Sequence, residues 1–373
     1  MNNKNIFLLV VILAIFINCN AKLFCQFLFK PLAAFKANNE WFVIDENGNQ
    51  MYSSRQILDV TYYSEDLLSA YIFHNRILHA GYFDDGGKLA LKFPSKMPFP
   101  FKNGRALVME QSDDAKSMPL FGIIDRNGKL IVPIEYYDVL DFTEGLGYIM
   151  NLEERGYIDT NGKMVINLDK GVVGYGFAEG LSPVSSSELG LFGFIDKNGK
   201  MVIDYSFGEV GNFSEGLCRV YKNRYFGFIN KDGQFVIDTK FDEASDFREG
   251  LAFVSELDEE QEKYFWGSID RDGVFVVDFR FDEYRSFSEG LAAVSEAGKW
   301  RYIDKNGIAI NDETYRYCGS FKNGKAFVIM NDGTKLFIDK LGNQVLELPF
   351  AIEILLDCRT NERFEKSLLE KKQ

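Results

Sequence analysis

The residues best placed to do chemistry here are carboxylates in a repeated setting. Asp-x-Asn/Asp-Gly starts at Asp45, Asp125, Asp159, Asp196, Asp270 and Asp304. That spacing opens a calcium loop, which needs oxygen ligands at alternating positions and a Glu at the twelfth. No copy has Glu there. The same four residues also write a hairpin turn, because Gly accepts positive φ and the Asp or Asn side chain closes the backbone. The turn explains every copy without an ion, so no metal and no cofactor are expected. Catalysis finds little else. His74 and His79 are the only histidines, and there is no Gly-x-Ser-x-Gly, HExxH or phosphate-cradling loop. Glu144, Glu179, Glu215, Glu249 and Glu289 recur at one place in successive units. That regularity suits a folding role, so no catalytic residue is assigned and the chain reads as a non-enzyme.

These carboxylates sit on a repeat. The turn glycines are Gly48, Gly87, Gly128, Gly162, Gly199, Gly233, Gly273, Gly307 and Gly342, with a basal period near 34 and insertions. A second marker, Phe-x-Glu-Gly-Leu, begins at Phe142, Phe177, Phe213, Phe247 and Phe287, with weaker forms at Phe101 and Phe321. Each unit reads as three strands. Strand A resembles Leu291-Ala-Ala-Val294, with small or β-branched residues alternating toward one buried face. Strand B is aromatic-Gly-aromatic-Ile-Asp, and strand C is Lys200-Met-Val-Ile203 or its equivalents. The linker after C has room for a fourth, very short strand.

A single meander cannot bury its apolar face alone, so neighbours must stack. The expected fold is all-β: about nine three-stranded repeats, either an open superhelical, solenoid-like array or a closed β-propeller. Nine units exceed the usual ~4–8 blades, and no first strand visibly completes the last unit. The open array is therefore preferred.

The repeated hairpin, preceded by Phe-x-Glu-Gly-Leu-Ala, resembles the WG (KWG) repeat of bacterial proteins over about residues 27–346. Trp-Gly itself occurs once, at Trp266-Gly267. Phe121, Phe192 and Phe226 take the Trp place elsewhere, and Arg301 follows Trp300. The resemblance implies a β-rich, non-enzymatic interaction scaffold and brings no catalytic residues.

Function is sought where the units differ. Nearly all the excess length falls between strands A and B, and equivalent loops of a stacked array emerge on one face. These loops carry Asp113, Asp114, Ser186, Glu256, Asp258, Glu259 and Glu260. They are the candidate contacts to an unknown protein partner, the alternative being tolerated surface insertions. Trp41, Trp266 and Trp300 open strand B. Exposed, they would stack on sugar rings and suit cell-envelope carbohydrate; buried, they are core between units.

The net charge of −13 disfavours nucleic acid, whose phosphates need a basic face. Near the N-terminus, Ile6 to Ile17 is an uncharged run behind Lys4, as in a signal peptide, and Cys19 stands where a bacterial lipobox would be lipidated. The expectation is export and a lipid-anchored place in the cell envelope, the only membrane contact. A secreted or periplasmic protein is the alternative. The boundaries are then 1–18 signal peptide, 19–26 tether, 27–348 repeat domain and 349–373 C-terminal cap or tail. Asn361 is positioned to start a helix there. Five cysteines offer no zinc spacing, and Cys218 occupies a strand-A core position.

Overall fold

The computed structural model describes residues 31–75, 77–95, 97–110, 118–258, 260, 262–348, 352, 354–357 and 362–365. Cys19, the expected signal peptide and tether, Asp113, Asp114 and Glu259 lie outside these residues.

The described chain is all strand and turn, in nine small antiparallel sheets. The sheets form the blades of a nine-bladed β-propeller. Blades 1 to 9 cover residues 31–54, 57–93, 101–136, 138–167, 172–207, 209–241, 243–281, 283–304 and 317–347. Blade 5 shows the plan. Its leading strand Val172–Gly174 pairs with strand A, Leu181–Ser186; strand B, Leu191–Asp196, follows, and strand C, Met201–Phe207, ends the sheet. The linker thus supplies the short fourth strand.

The preferred open array is overturned. Nine apolar clusters occur among the described residues, each joining neighbouring blades. One packs Leu32, Phe35 and Ile44 of blade 1 against Phe327, Phe337 and Leu346 of blade 9, so the ring has no free end. A C-terminal strand makes the closure. Ile354–Asp357 pairs antiparallel with Pro31–Ala37, setting Ala34 opposite Leu356, and Glu362–Glu365 pairs with it in turn. The first blade is completed by the last residues, the reverse of the arrangement sought in the sequence. Glu362–Glu365 is therefore strand rather than the helix anticipated from Asn361.

Burial also differs from the one-faced strand expected. Leu291 through Ser295 are all buried, as are Leu251 through Ser255. A blade lies between two neighbours, so both faces of its sheet pack. Between blades, the Phe of Phe-x-Glu-Gly meets a strand-B aromatic of the preceding blade at Phe177, Phe213 and Phe247, as does Phe321 of the weaker form, while Phe287 stacks on Phe253 of strand A. Phe213 sits edge-on to Phe194 at 5.1 Å, Phe247 to Phe228 at 4.8 Å, and Phe321 to Tyr302 at 4.8 Å. Edge-to-face pairs at this spacing add to area burial, and the recurrence explains why Phe is so common.

The glycine of aromatic-Gly-aromatic has a specific cause. Phe192 pairs with Phe207 but Phe194 pairs with Ile203, so strand C bulges opposite Gly193. A Cβ at Gly193 would stand 2.6 Å from the Ile203 carbonyl oxygen. Blades 3, 6 and 7 repeat this at Gly122, Gly227 and Gly267. Blade 8, where Arg301 replaces the Gly, has a three-stranded sheet, with only isolated bridges from Tyr315 and Ala309 onto strand B.

Candidate functional site

Antiparallel order sorts the loops onto two faces. A–B hairpin tips and the links from strand C to the next blade share one face. Phe-x-Glu-Gly loops and B–C turns share the other.

The second face is occupied by the recurrent carboxylates. In the B–C turns one Asp oxygen, or the Asn230 amide oxygen in blade 6, accepts two backbone N–H groups; Asp196 Oδ1 receives those of Asn198 (2.8 Å) and Lys200 (2.9 Å). Those bonds, first that of Lys200, hold the Asp196 carboxyl below its ordinary range. The carboxylate that resembled a calcium ligand closes its own turn.

The recurrent glutamates stitch blade to blade. Glu179 of blade 5 accepts the Gly216 N–H of blade 6 at 3.0 Å and pairs with Lys231 of that blade at 3.1 Å. Lys231 also donates to the Glu179 carbonyl at 2.9 Å. Glu144 does the same with Gly180 and Lys197 and Glu249 with Gly290 and Lys305, while Glu289 accepts the Gly324 N–H and pairs with Lys340. Partial burial works to raise the carboxyls of Glu144, Glu179 and Glu289. The lysine and the backbone N–H outweigh it, and all three are lowered. Each glutamate holds a positive φ, near 50–55°, which aims its side chain across the joint. Blade 9 has Asn323 at this position, and its joint to blade 1 carries a Lys325–Glu46 pair at 3.3 Å instead.

A cleft of about 440 Å³ opens on this face, where the loops of blades 6, 7 and 8 meet. Its lining includes Ser214, Glu215, Asp246, Arg248, Glu249 and Ser288. Most of these polar groups already serve the joints. Glu215 and Glu249 accept Gly250 and Gly290, and the Ser214 and Ser288 hydroxyls donate to the Phe247 and Phe321 carbonyls. Burial raises the Asp246 carboxyl despite Arg219 and Arg248 nearby; Arg219 Nε is 3.3 Å from Oδ1, in ion-pair reach but misaligned for a hydrogen bond. The chemistry of this cleft is that of an interblade joint.

The first face carries the variable residues. Excess A–B length becomes extended hairpin rather than loose loop. Blade 7 keeps strand register out to Asp258 opposite Lys263, and blade 2 to His74 opposite Ile77. Glu256 and Glu260 are exposed on the blade 7 hairpin, while Asp258 is half-buried and accepts the Glu260 N–H at 2.9 Å. Ser186 is also half-buried; its hydroxyl accepts the Leu189 N–H at 3.3 Å, so it shapes the tip.

Apolar side chains at these tips went unnoticed in the sequence. Leu152, Leu189 and Tyr225 are 81%, 57% and 43% exposed at the tips of blades 4, 5 and 6. Phe73, Ile77 and Met118 stand out from blades 2 and 3, and Leu257 and Tyr264 from blade 7. The tips of blades 8, 9 and 1 are Ala297-Gly298, Asn331-Asp332-Gly333 and Asn38-Asn39. The signal was an apolar residue amid turn formers, as in Asn151-Leu-Glu-Glu and Ser187-Glu-Leu-Gly.

The strand-B tryptophans are packing residues. Trp41 is fully buried and donates Nε1–H to the Leu58 carbonyl of blade 2 at 3.3 Å. Trp300 is buried beneath the Arg285 guanidinium, 5.6 Å from its ring. Trp266 is half-buried against Tyr284 of blade 8, ring centroids 4.4 Å apart. Neither Trp41 nor Trp300 offers a face to a sugar. Cys218 and Cys318 are buried free thiols whose ionisation is pushed up by burial. Among the described residues no His, Cys, Asp and Glu cluster could hold a metal.

Comparison with known proteins fits this geometry. The family described as the WG containing repeat matches residues 121–151, 192–225, 226–258 and 266–300. These four stretches start at Phe121, Phe192, Phe226 and Trp266, the strand-B aromatics of the four bulged blades. No curated protein matches the chain. Among solved structures, a eukaryotic initiation factor aligns with a TM-score of 0.63 at 12% identity, over 86% of this chain and 95% of that one. BamB from Moraxella catarrhalis gives 0.37 at 9% identity over 77% and 86%, and the WD40 β-propeller domain of Doa1 gives 0.28 at 10% over 87% and 88%. At these identities the first likeness concerns the fold alone. The chain is an all-β propeller containing four segments that match the WG repeat.

Proposed function

We propose that this protein is a non-enzymatic scaffold that binds a protein partner through the A–B hairpin face. The observation that carries the reading is the division between faces. Recurrent polar residues are committed to turns and joints on one face, where Val274, Ile308 and Leu341 of the B–C turns are also exposed, while the hairpin tips on the other face carry exposed apolar and acidic side chains that differ from blade to blade and serve no joint. Loops on a rigid frame are where recognition concentrates, and exposed large apolar groups rimmed by polar ones mark contact surfaces.

The test exchanges residues 257–264 for Asn-Gly. Glu256 and Phe265 already pair, so a two-residue turn preserves register. The variant should melt with the parent and lose most of the partner recovered by affinity capture from the cells that make it. Undiminished recovery would contradict the assignment. The buried environments of Trp41 and Trp300 leave the carbohydrate alternative with little surface to act through.

A further inference from the structure

We infer that the hairpin face takes a cationic, amphipathic protein segment laid along the arc of blades 4 to 7; this rests on the binding-face reading above and names the partner's chemistry. Two properties of that arc point the same way. Its tips present Leu152, Leu189, Tyr225, Leu257 and Tyr264 in consecutive blades, continuing the apolar tips Phe73, Ile77 and Met118 of blades 2 and 3, and the series stops at the small and polar tips of blades 8, 9 and 1. The apolar groups therefore form a stripe with two ends rather than a ring, which suits an extended segment more than a globular cap over the whole face.

The second property is charge. Around the stripe stand the exposed carboxylates of Glu153, Glu188, Glu256, Glu260 and Glu262, and between them the leading strands open on exposed Glu209 and Glu243. Carboxylates outnumber cations on these tips: Arg155 stands on blade 4 and Lys222 and exposed Arg224 on blade 6, while Lys263 is paired with Asp282 at 2.6 Å and Glu209 with Arg219 at 2.9 Å. Like charge repels and opposite charge steers encounter. An acidic rim around apolar anchors thus selects basic residues alternating with apolar ones, and it disfavours anionic lipid, nucleic acid and a second copy of a chain whose net charge is −13.

The probe is a synthetic peptide of alternating Leu and Lys, with a Leu-Glu peptide as control, titrated by fluorescence anisotropy against the full chain. The Leu-Lys peptide should bind, weakening as salt rises from about 0.1 to about 0.5 M, and the Leu-Glu peptide should not. Combined Glu188→Gln, Glu256→Gln and Glu260→Gln should weaken binding about tenfold, as should Leu152→Ser with Leu189→Ser. Asp332→Asn, on blade 9, should change nothing. Equal binding of both peptides, no binding, or insensitivity to both sets of tip variants would overturn the inference, as would preferential adsorption of the chain to phosphatidylglycerol vesicles. Melting curves of each variant confirm that the ring is intact. Loss of the captured cellular partner on the 257–264 exchange, alongside a peptide that does not bind, would keep the face and reject the partner chemistry. Retention of that partner would reject the face itself.

Discussion

Removing one interblade stitch gives the most quantitative check on the frame. Glu179→Ala deletes an acceptor for the Gly216 N–H and the counter-ion of Lys231. A hydrogen bond to a charged group contributes about 1.5–3 kcal/mol. The Glu179 side chain is about one-third exposed, so the lower end applies, and an ion pair with a lysine this exposed adds only about 0–1 kcal/mol. The positive φ of Glu179 is shared by Ala, so its strain cancels. We expect Glu179→Ala to cost about 1–2 kcal/mol and Glu179→Gln, whose amide oxygen can still accept from Gly216, roughly half of that. Urea denaturation followed by circular dichroism measures both. The pH dependence has a definite sign. The folded carboxyl lies below its ordinary value, so the stitch is complete above the unfolded glutamate value of about 4.3 and fades as pH falls through the folded one. The gap between the parent and Glu179→Gln should therefore be widest above about pH 5 and close toward about pH 3. A constant gap over that range, or a Glu179→Ala variant as stable as the parent, would refute the reasoning.

Two further outcomes follow from the frame. Gly227→Ala places a Cβ 2.6 Å from the Ile237 oxygen and 2.8 Å from the Thr239 nitrogen, both backbone; it should destabilise by roughly 1–3 kcal/mol or more in the same denaturation assay. Deleting 354–373 removes the strand that pairs with Pro31–Ala37; small-angle scattering should show a larger radius of gyration and melting should occur at lower temperature.

Much of the frame was legible because local chemistry repeats. The Asp-x-Asn-Gly turn, the Phe-x-Glu-Gly loop and the A–B–C meander each appear where their spacing put them, since turn geometry and strand alternation depend on near neighbours. Closure was not legible. It depends on Ile354, Leu355 and Leu356 finding strand A of the first blade, over three hundred residues away, and that segment lacks the repeat's glycine turn. Glu179 and its equivalents could be marked as structural from recurrence, but their partners one blade on could not. On the hairpin face, acidic residues stand out because they interrupt the pattern. Leu152, Leu189 and Tyr225 do not, because an apolar residue next to a strand reads as core until the sheet's ends are known.

The division of faces can be tested most directly by site-specific photocrosslinking in living cells. A photoreactive residue is placed at Leu189, on the blade 5 hairpin tip, or at Asn198, on the B–C turn at the opposite end of the same blade; both side chains are exposed. The account predicts a discrete protein adduct from position 189 and none from 198. Adducts from 198 alone, or the same adduct from both, would contradict it.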